Sequence, residues 1–94
     1  MPYKSRTTAR FRKKFKTLMP GIKKIVREAY KLFLSNPSHT SLDFKPVNPA
    51  KTIYSARASI DVRVVGIKDG GEIVWFWLGF HNEYDRLIAE LKKR

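Results

Sequence analysis

Residues 73–78 read Ile-Val-Trp-Phe-Trp-Leu, six consecutive large apolar side chains. Gly79 follows at once, and after Phe80 comes the polar cluster His81, Asn82, Glu83, Tyr84 and Asp85. A run that short and that apolar reads as a strand covered on both faces, and therefore as an interior strand of a sheet. Trp75 and Trp77 alternate to one side of it, with Val74, Phe76 and Leu78 on the other. One set is expected in the core and the other beneath a helix. Gly79 allows a sharp bend. The polar cluster then sits at the exit of a buried strand, a rigid place to mount chemistry.

The pattern elsewhere divides near residue 50. Thr7 or Thr8 caps a helix that runs to about Leu18, with Phe11, Phe15 and Leu18 as its apolar stripe. Met19-Pro20-Gly21 breaks it, and Pro20 suits the first turn of a second helix. Ile22, Ile25, Val26, Ala29 and Phe33 line that helix, which stops near Asn36-Pro37. The two form an antiparallel hairpin, from about Thr8 to Leu34, with a shared apolar side. Tyr3 to Arg6 is a short edge strand, and residues 37–49 are irregular with an extended piece at Leu42 to Lys45.

Beyond residue 50 the period becomes two. Ile53 to Ser59 places Tyr54, Ala56 and Ala58 on one face and Ser55, Arg57 and Ser59 on the other. Val62 to Ile67 carries Arg63 on the side of Val65 and Ile67. Asp69-Gly70-Gly71 is a hairpin turn into Ile73 to Leu78. From about Asn82 the spacing of Tyr84, Leu87, Ile88 and Leu91 is helical, and Lys92, Lys93 and Arg94 complement that helix's C-terminal dipole. The order implies an α+β fold: an N-terminal helical hairpin packed on a small antiparallel sheet, plus a C-terminal helix. The helices share one face, so the other face is partly open. Residues 1–94 form a single domain.

Charge narrows the function. Lysine and arginine total 20 against 8 acids, a formal net charge of +12. Residues 1–34 hold eleven of the bases and one acid, Glu28, whereas the remainder is nearly balanced. Such a field attracts polyanions, nucleic acid or an acidic protein. There is no cysteine, no apolar leader and no apolar run near the ~20 residues that span a bilayer, so a cytoplasmic protein without a membrane role is expected. Two distant histidines without ligand-spaced carboxylates argue against a metal site. No nucleotide fingerprint, Gly-rich phosphate loop or Ser/His/Asp set appears, and no cofactor is expected. His39, in Pro-Ser-His-Thr-Ser, reads as a loop residue.

The chain resembles the RelE/ParE superfamily of bacterial toxin–antitoxin toxins. The resemblance rests on the Thr-led basic hairpin, Tyr-Ser-Ala-Arg-Ala-Ser at 54–59, Val-Arg-Val-Val at 62–65, and the segment from Trp75 to Asp85. It implies a compact sheet flanked by helices, ribosome-dependent mRNA cleavage, and a co-expressed acidic antitoxin as partner. The ParE branch instead inhibits DNA gyrase, and a non-catalytic basic RNA-binding protein is a further alternative, because fold alone does not choose an activity. Carried over by position, His81, Arg63 and Arg57 are the catalytic candidates. Tyr84 or Phe80 stands for the aromatic that stacks on a base, and Lys45, Lys13 and Lys14 are candidate substrate contacts.

The chemistry suits these residue types. Cleavage by 2′-OH attack needs a proton acceptor, a proton donor and cations on the phosphate. Histidine suits either proton role, and arginine's fork suits the phosphate. The plain alternative is that His81 caps the last helix or sits solvated in a turn. Glu83 and Asp85 either orient the His81 ring or simply favour the start of the last helix through its dipole.

Overall fold

The switch of hydrophobic period near residue 50 is also where helices give way to strands. In the computed structural model, which describes residues 3–48, 50 and 52–92, the chain runs β1 (Lys4–Thr7), α1 (Ala9–Lys16), α2 (Pro20–Ser35), a 3₁₀ turn (Thr40–Leu42), β2 (Lys45–Pro46), β3 (Ile53–Arg57), β4 (Val62–Asp69), β5 (Glu72–Phe80) and α3 (His81–Lys92). Lys93 and Arg94, read above as dipole partners of the last helix, lie outside the described residues. Thr8 is the N-cap of α1, its hydroxyl accepting from the Phe11 N–H at 3.1 Å. Pro20 opens α2, where its missing N–H leaves one fewer donor to satisfy.

The sheet order is β1-β5-β4-β3-β2, which makes β5 an interior strand. Three of its four pairings are antiparallel, but β1 lies parallel to β5, so the sheet is mixed rather than antiparallel. The hairpin of helices between β1 and the later strands supplies the crossover that a parallel neighbour requires. Ser5 helps fix β1 there, accepting from Tyr30 Oη at 2.8 Å and Trp75 Nε1 at 3.1 Å.

The β4–β5 ladder contains a bulge. From the Gly70-Gly71 turn it runs Asp69–Glu72 to Gly66–Trp75, then resumes at Val65–Trp77, leaving Phe76 as the extra residue on β5. The alternation expected for this strand therefore fails at its centre. Trp75 faces the helical hairpin and packs on Phe33 and Phe44, whereas Trp77 faces the opposite side and meets Tyr84. Gly66 gives the bulge room. A Cβ there would lie 2.8 Å from Trp75 Cε3 and 2.9 Å from the Val74 carbonyl oxygen.

The core lies between the hairpin and one sheet face, with Phe11, Leu18, Val26, Phe33, Leu42, Ala56, Val62, Ile73, Trp75 and Leu78 buried in one cluster. Ile25, expected on the apolar stripe of α2, stays 45% exposed. The helices do not share a face. α3 begins directly after β5 and lies against the second face, where Tyr84 packs on Trp77 and bonds Ser55. Trp77, Val74 and Phe76 remain half-buried, so that face is shielded only in part. Gly79 does not bend the chain through a left-handed conformation. It clears space: a Cβ there would sit 2.6 Å from the Trp77 ring and 3.2 Å from Glu83 Oε1. Among the described residues no helix is long and apolar enough to cross a membrane.

Candidate active site

The second sheet face carries a row of three residues set by strand register. Arg57 on β3 lies directly opposite Arg63 on β4, and Arg63 directly opposite Gly79 on β5. The next row along is Ser55, Val65 and Trp77. Side chains opposite one another on neighbouring antiparallel strands stand about 5 Å apart at Cβ, and like charges so placed repel. Among the described residues neither arginine has a carboxylate within ion-pair distance. The register makes the two arginines neighbours, and Arg63 Nη1 donates to the Ser59 and Ile60 carbonyls at 2.9 and 3.1 Å.

A cleft of about 310 Å³ opens over this row, lined by Asp43, Lys45, Ser55, Ala56, Arg57, Arg63, His81, Tyr84 and Asp85. Three strands, the segment before β2 and the first turn of α3 thus converge. His81 is the first residue of α3, and its side chain is 57% exposed, open to a substrate. Its N–H donates to the Asp61 carbonyl at 2.7 Å, and its Nδ1 lies 3.7 Å from Asp61 Oδ1. Tyr84 reaches across the face and donates to Ser55 Oγ at 2.9 Å, while its ring packs on Trp77 with centroids 6.4 Å apart. Ser55 is 2% exposed, so this bond anchors α3 to β3 through a buried hydroxyl. Asp43, in the left-handed region at φ 44°, holds Lys45 at 3.1 Å on the rim.

The cleft therefore assembles His81 and Tyr84 from α3 with Lys45 from β2, Arg57 from β3 and Arg63 from β4. Phe80 goes elsewhere, packing against the core cluster on the opposite face. Lys13 is exposed on α1, and Lys14 lies 3.7 Å from Glu83 Oε2. Neither lines the cleft. Glu83 does not orient His81. Its Oε1 accepts from the Phe80 N–H at 3.0 Å, the reach-back half of a capping box. Asp85 does line the cleft. His39 caps the 3₁₀ turn, its Nδ1 accepting from the Ser41 N–H at 3.2 Å. Asp61, Asp43 and Ser55 are members or neighbours of the site that local sequence reasoning did not mark, because each arrives through strand register or backbone conformation. Among the described residues no group of three or more potential metal ligands lies together.

A second cavity, about 350 Å³, lies beneath the helical hairpin on the other sheet face. Phe11, Phe15, Val26, Phe33, Ala56, Val64 and Trp75 give it an apolar lining, and Arg12, Arg27, Lys31 and Arg57, which also lines the cleft, are its cations, with no acid among the lining residues. The Arg27 guanidinium lies 5.2 Å above the Phe15 ring.

This arrangement, a helical hairpin on one face of a mixed sheet and a basic cleft at the strand ends of the other, is the RelE/ParE-like toxin fold. The chain is similar to a chain of the archaeal RelE–RelB complex from Pyrococcus horikoshii, at 18% identity and a TM-score of 0.68, covering 85% of this chain and 96% of that one. It is similar at the same TM-score to a chain of the RelBE2 toxin–antitoxin complex of Mycobacterium tuberculosis, at 24% identity with 85% and 99% covered. YafQ from E. coli gives 14% identity, 87% and 97% covered and a TM-score of 0.68. No family model matches the sequence, and no curated protein sequence matches it.

Proposed function

We propose that the chain is the toxin of a type II toxin–antitoxin pair and acts as a metal-independent endoribonuclease on mRNA at the ribosome. The observation that carries this reading is the Arg57–Arg63 cross-strand pair, without a carboxylate partner and open to a cleft that His81 also lines. A scissile phosphate relieves the repulsion between the two guanidiniums and is held by both. The ribose 2′-OH attacks phosphorus, the P–O2′ bond forms, and the P–O5′ bond breaks. The products are a 2′,3′-cyclic phosphate and a 5′-hydroxyl. His81 gives a proton to the leaving 5′-oxygen, and Asp85, the nearby carboxylate of the cleft, takes the proton of the 2′-OH. The arginines stabilise the added negative charge of the transition state. Lys45 extends the cationic surface along the RNA, and Tyr84 closes one wall.

The acidic antitoxin fits the second cavity. An amphipathic acidic segment places its apolar side chains between the hairpin and the sheet and its carboxylates against Arg12, Arg27 and Lys31. Similar folds solved as RelE–RelB and DinJ–YafQ complexes support a protein partner.

The test is induced expression of wild type and His81→Ala, with primer extension on a reporter mRNA and a thermal melt of each purified variant. His81→Ala is expected to stay folded, because an exposed residue supports little packing, and to lose cleavage by ~10²–10⁴-fold. A folded His81→Ala that cuts mRNA as wild type does would falsify the catalytic assignment. Induction that causes DNA damage while translation continues would point to a gyrase target instead.

A further inference from the structure

We propose that Asp61 is the positioning residue of His81, holding its imidazole in one tautomer so that Nε2 faces the cleft. This rests on the endoribonuclease reading for its consequence, though not for its geometry. The β4–β5 ladder pairs Val65 with Trp77, Val64 with Leu78, Arg63 with Gly79 and Val62 with Phe80. One further step sets Asp61 opposite His81, just beyond both strand ends. The backbone takes that step: the His81 N–H donates to the Asp61 carbonyl at 2.7 Å. The side chains follow, with His81 Nδ1 3.7 Å from Asp61 Oδ1. That separation exceeds a hydrogen bond, but catalytic contacts commonly tighten when substrate arrives.

The turn bearing Asp61 is fastened on several sides. Ser59 Oγ accepts from the N–H groups of Asp61 and Val62 at 3.3 and 3.2 Å. The Ala58 N–H donates to the Val62 carbonyl at 2.9 Å. Arg63 Nη1 donates to the carbonyls of Ser59 and Ile60 at 2.9 and 3.1 Å. Arg63 therefore has two tasks. Nη1 braces the turn that presents Asp61, and the side chain also lines the cleft, where its other N–H groups would serve phosphate. A carboxylate beside Nδ1 favours the tautomer with the proton on that nitrogen. In the charged ring Nε2 then holds the proton that goes to the leaving 5′-oxygen, and the neutral ring left behind keeps its proton on Nδ1. Without the carboxylate, the ring samples both tautomers and rotates more freely.

His39 supplies an internal reference. Its Nδ1 accepts from the Ser41 N–H, which requires that nitrogen to be unprotonated and puts the proton of the neutral ring on Nε2. The two histidines of one chain should show opposite tautomers. The experiment is ¹⁵N NMR of the imidazole nitrogens at a pH where both rings are neutral, on wild type, Asp61→Ala and Asp61→Asn. Cleavage by programmed ribosomes is measured in parallel. Wild-type His81 is expected as the Nδ1–H form and His39 as the Nε2–H form. Asp61→Ala should move His81 toward Nε2–H and lower kcat roughly 10- to 100-fold with KM unchanged, part of the ~10²–10⁴ that a positioned proton-transfer group contributes. Asp61→Asn keeps an acceptor oxygen, so it should retain more of the Nδ1–H form and lose less kcat. All variants keep the main-chain bond from His81 to residue 61, so the melts should coincide.

His81 found as Nε2–H in wild type overturns the proposal whatever the ribosome assay gives. So does an unchanged kcat in a folded Asp61→Ala. The expected tautomers together with no cleavage by wild type overturn the endoribonuclease reading and Asp61's part in catalysis, and leave only the pairing.

Discussion

Trp75 and Trp77 stand two positions apart on one strand yet point to opposite sides of the sheet, Trp75 onto Phe33 and Trp77 onto Tyr84. The extra residue between them, Phe76, shifts the register of everything that follows on β5. If the pairing of Asp69 with Glu72 ran on without interruption, Ile60 would oppose His81 and Arg63 would oppose Leu78. The bulge instead sets Arg63 against Gly79 and brings Asp61 to His81. A local irregularity in the middle of the strand thereby decides which side chains meet at its end.

Gly66 is where this geometry is most easily disturbed. A Cβ would meet Trp75 Cε3 at 2.8 Å and the Val74 carbonyl at 2.9 Å, and the carbonyl belongs to the rigid ladder. Gly66→Ala is expected to destabilise the fold by ~1–3 kcal/mol, the usual range for overpacking. Gly66→Val should cost more. A urea melt measures it, and an unchanged midpoint for Gly66→Val would show that the bulge has slack.

The anchoring of α3 can be tested through Tyr84 and Ser55. Tyr84→Phe leaves the Ser55 hydroxyl, which is 2% exposed, without its donor. Stranding a buried polar group costs about 1–3 kcal/mol, whereas removing both partners is milder. Ser55→Ala with Tyr84→Phe should therefore be less destabilising than the sum of the single changes. Additive losses in the double-mutant cycle would mean that the hydroxyls do not act as a pair.

Much of this was legible in the residues themselves. The Ile73–Leu78 run marked an interior strand, and the alternation of β3 put Arg57 on the face opposite Ala56 and Ala58. Thr8 and Pro20 marked the starts of the two hairpin helices. What was not legible depended on contacts between segments distant in sequence. The parallel placement of β1 rests on Ser5 meeting Tyr30 and Trp75. The bulge rests on Gly66 making room for an indole from the next strand. Neither leaves a periodic signal. Asp61 was unremarkable in a Ser-Ile-Asp turn until register placed it beside His81. Glu83 read either as an orienting group for that ring or as an acid suited to the start of the last helix, and its bond from the Phe80 N–H puts it in the second role.

The cavity beneath the hairpin gives a prediction about the proposed protein partner. Ala29 on α2 lines it, and Ala29→Trp fills part of the space without changing charge. Antitoxin affinity should fall at least tenfold in a calorimetric titration. Ala56 and Arg57 line both this cavity and the cleft, but Ala29 lines only the cavity, so RNA cleavage by the unbound protein is expected to stay close to wild type. Equal affinity for both proteins would place the antitoxin elsewhere.

The Arg57–Arg63 pair predicts a conflict between stability and activity. Opposed like charges across a strand pair are destabilising by roughly 0.2–1 kcal/mol. Arg57 is exposed and its side chain makes no hydrogen bond among the described residues, whereas Arg63 braces the Ser59–Ile60 turn. Arg57→Gln should thus raise the melting temperature slightly, while Arg63→Gln should lower it. Both should reduce cleavage. Sulfate or phosphate should stabilise wild type more than Arg57→Gln, because the anion answers a repulsion that the variant lacks. In RNA binding, each lost phosphate contact on a single strand should reduce the slope of log affinity against log salt by ~0.7. If Arg57→Gln instead lowers the melting temperature and leaves the salt slope untouched, the arginine pair is a structural feature, and the phosphate must be held elsewhere.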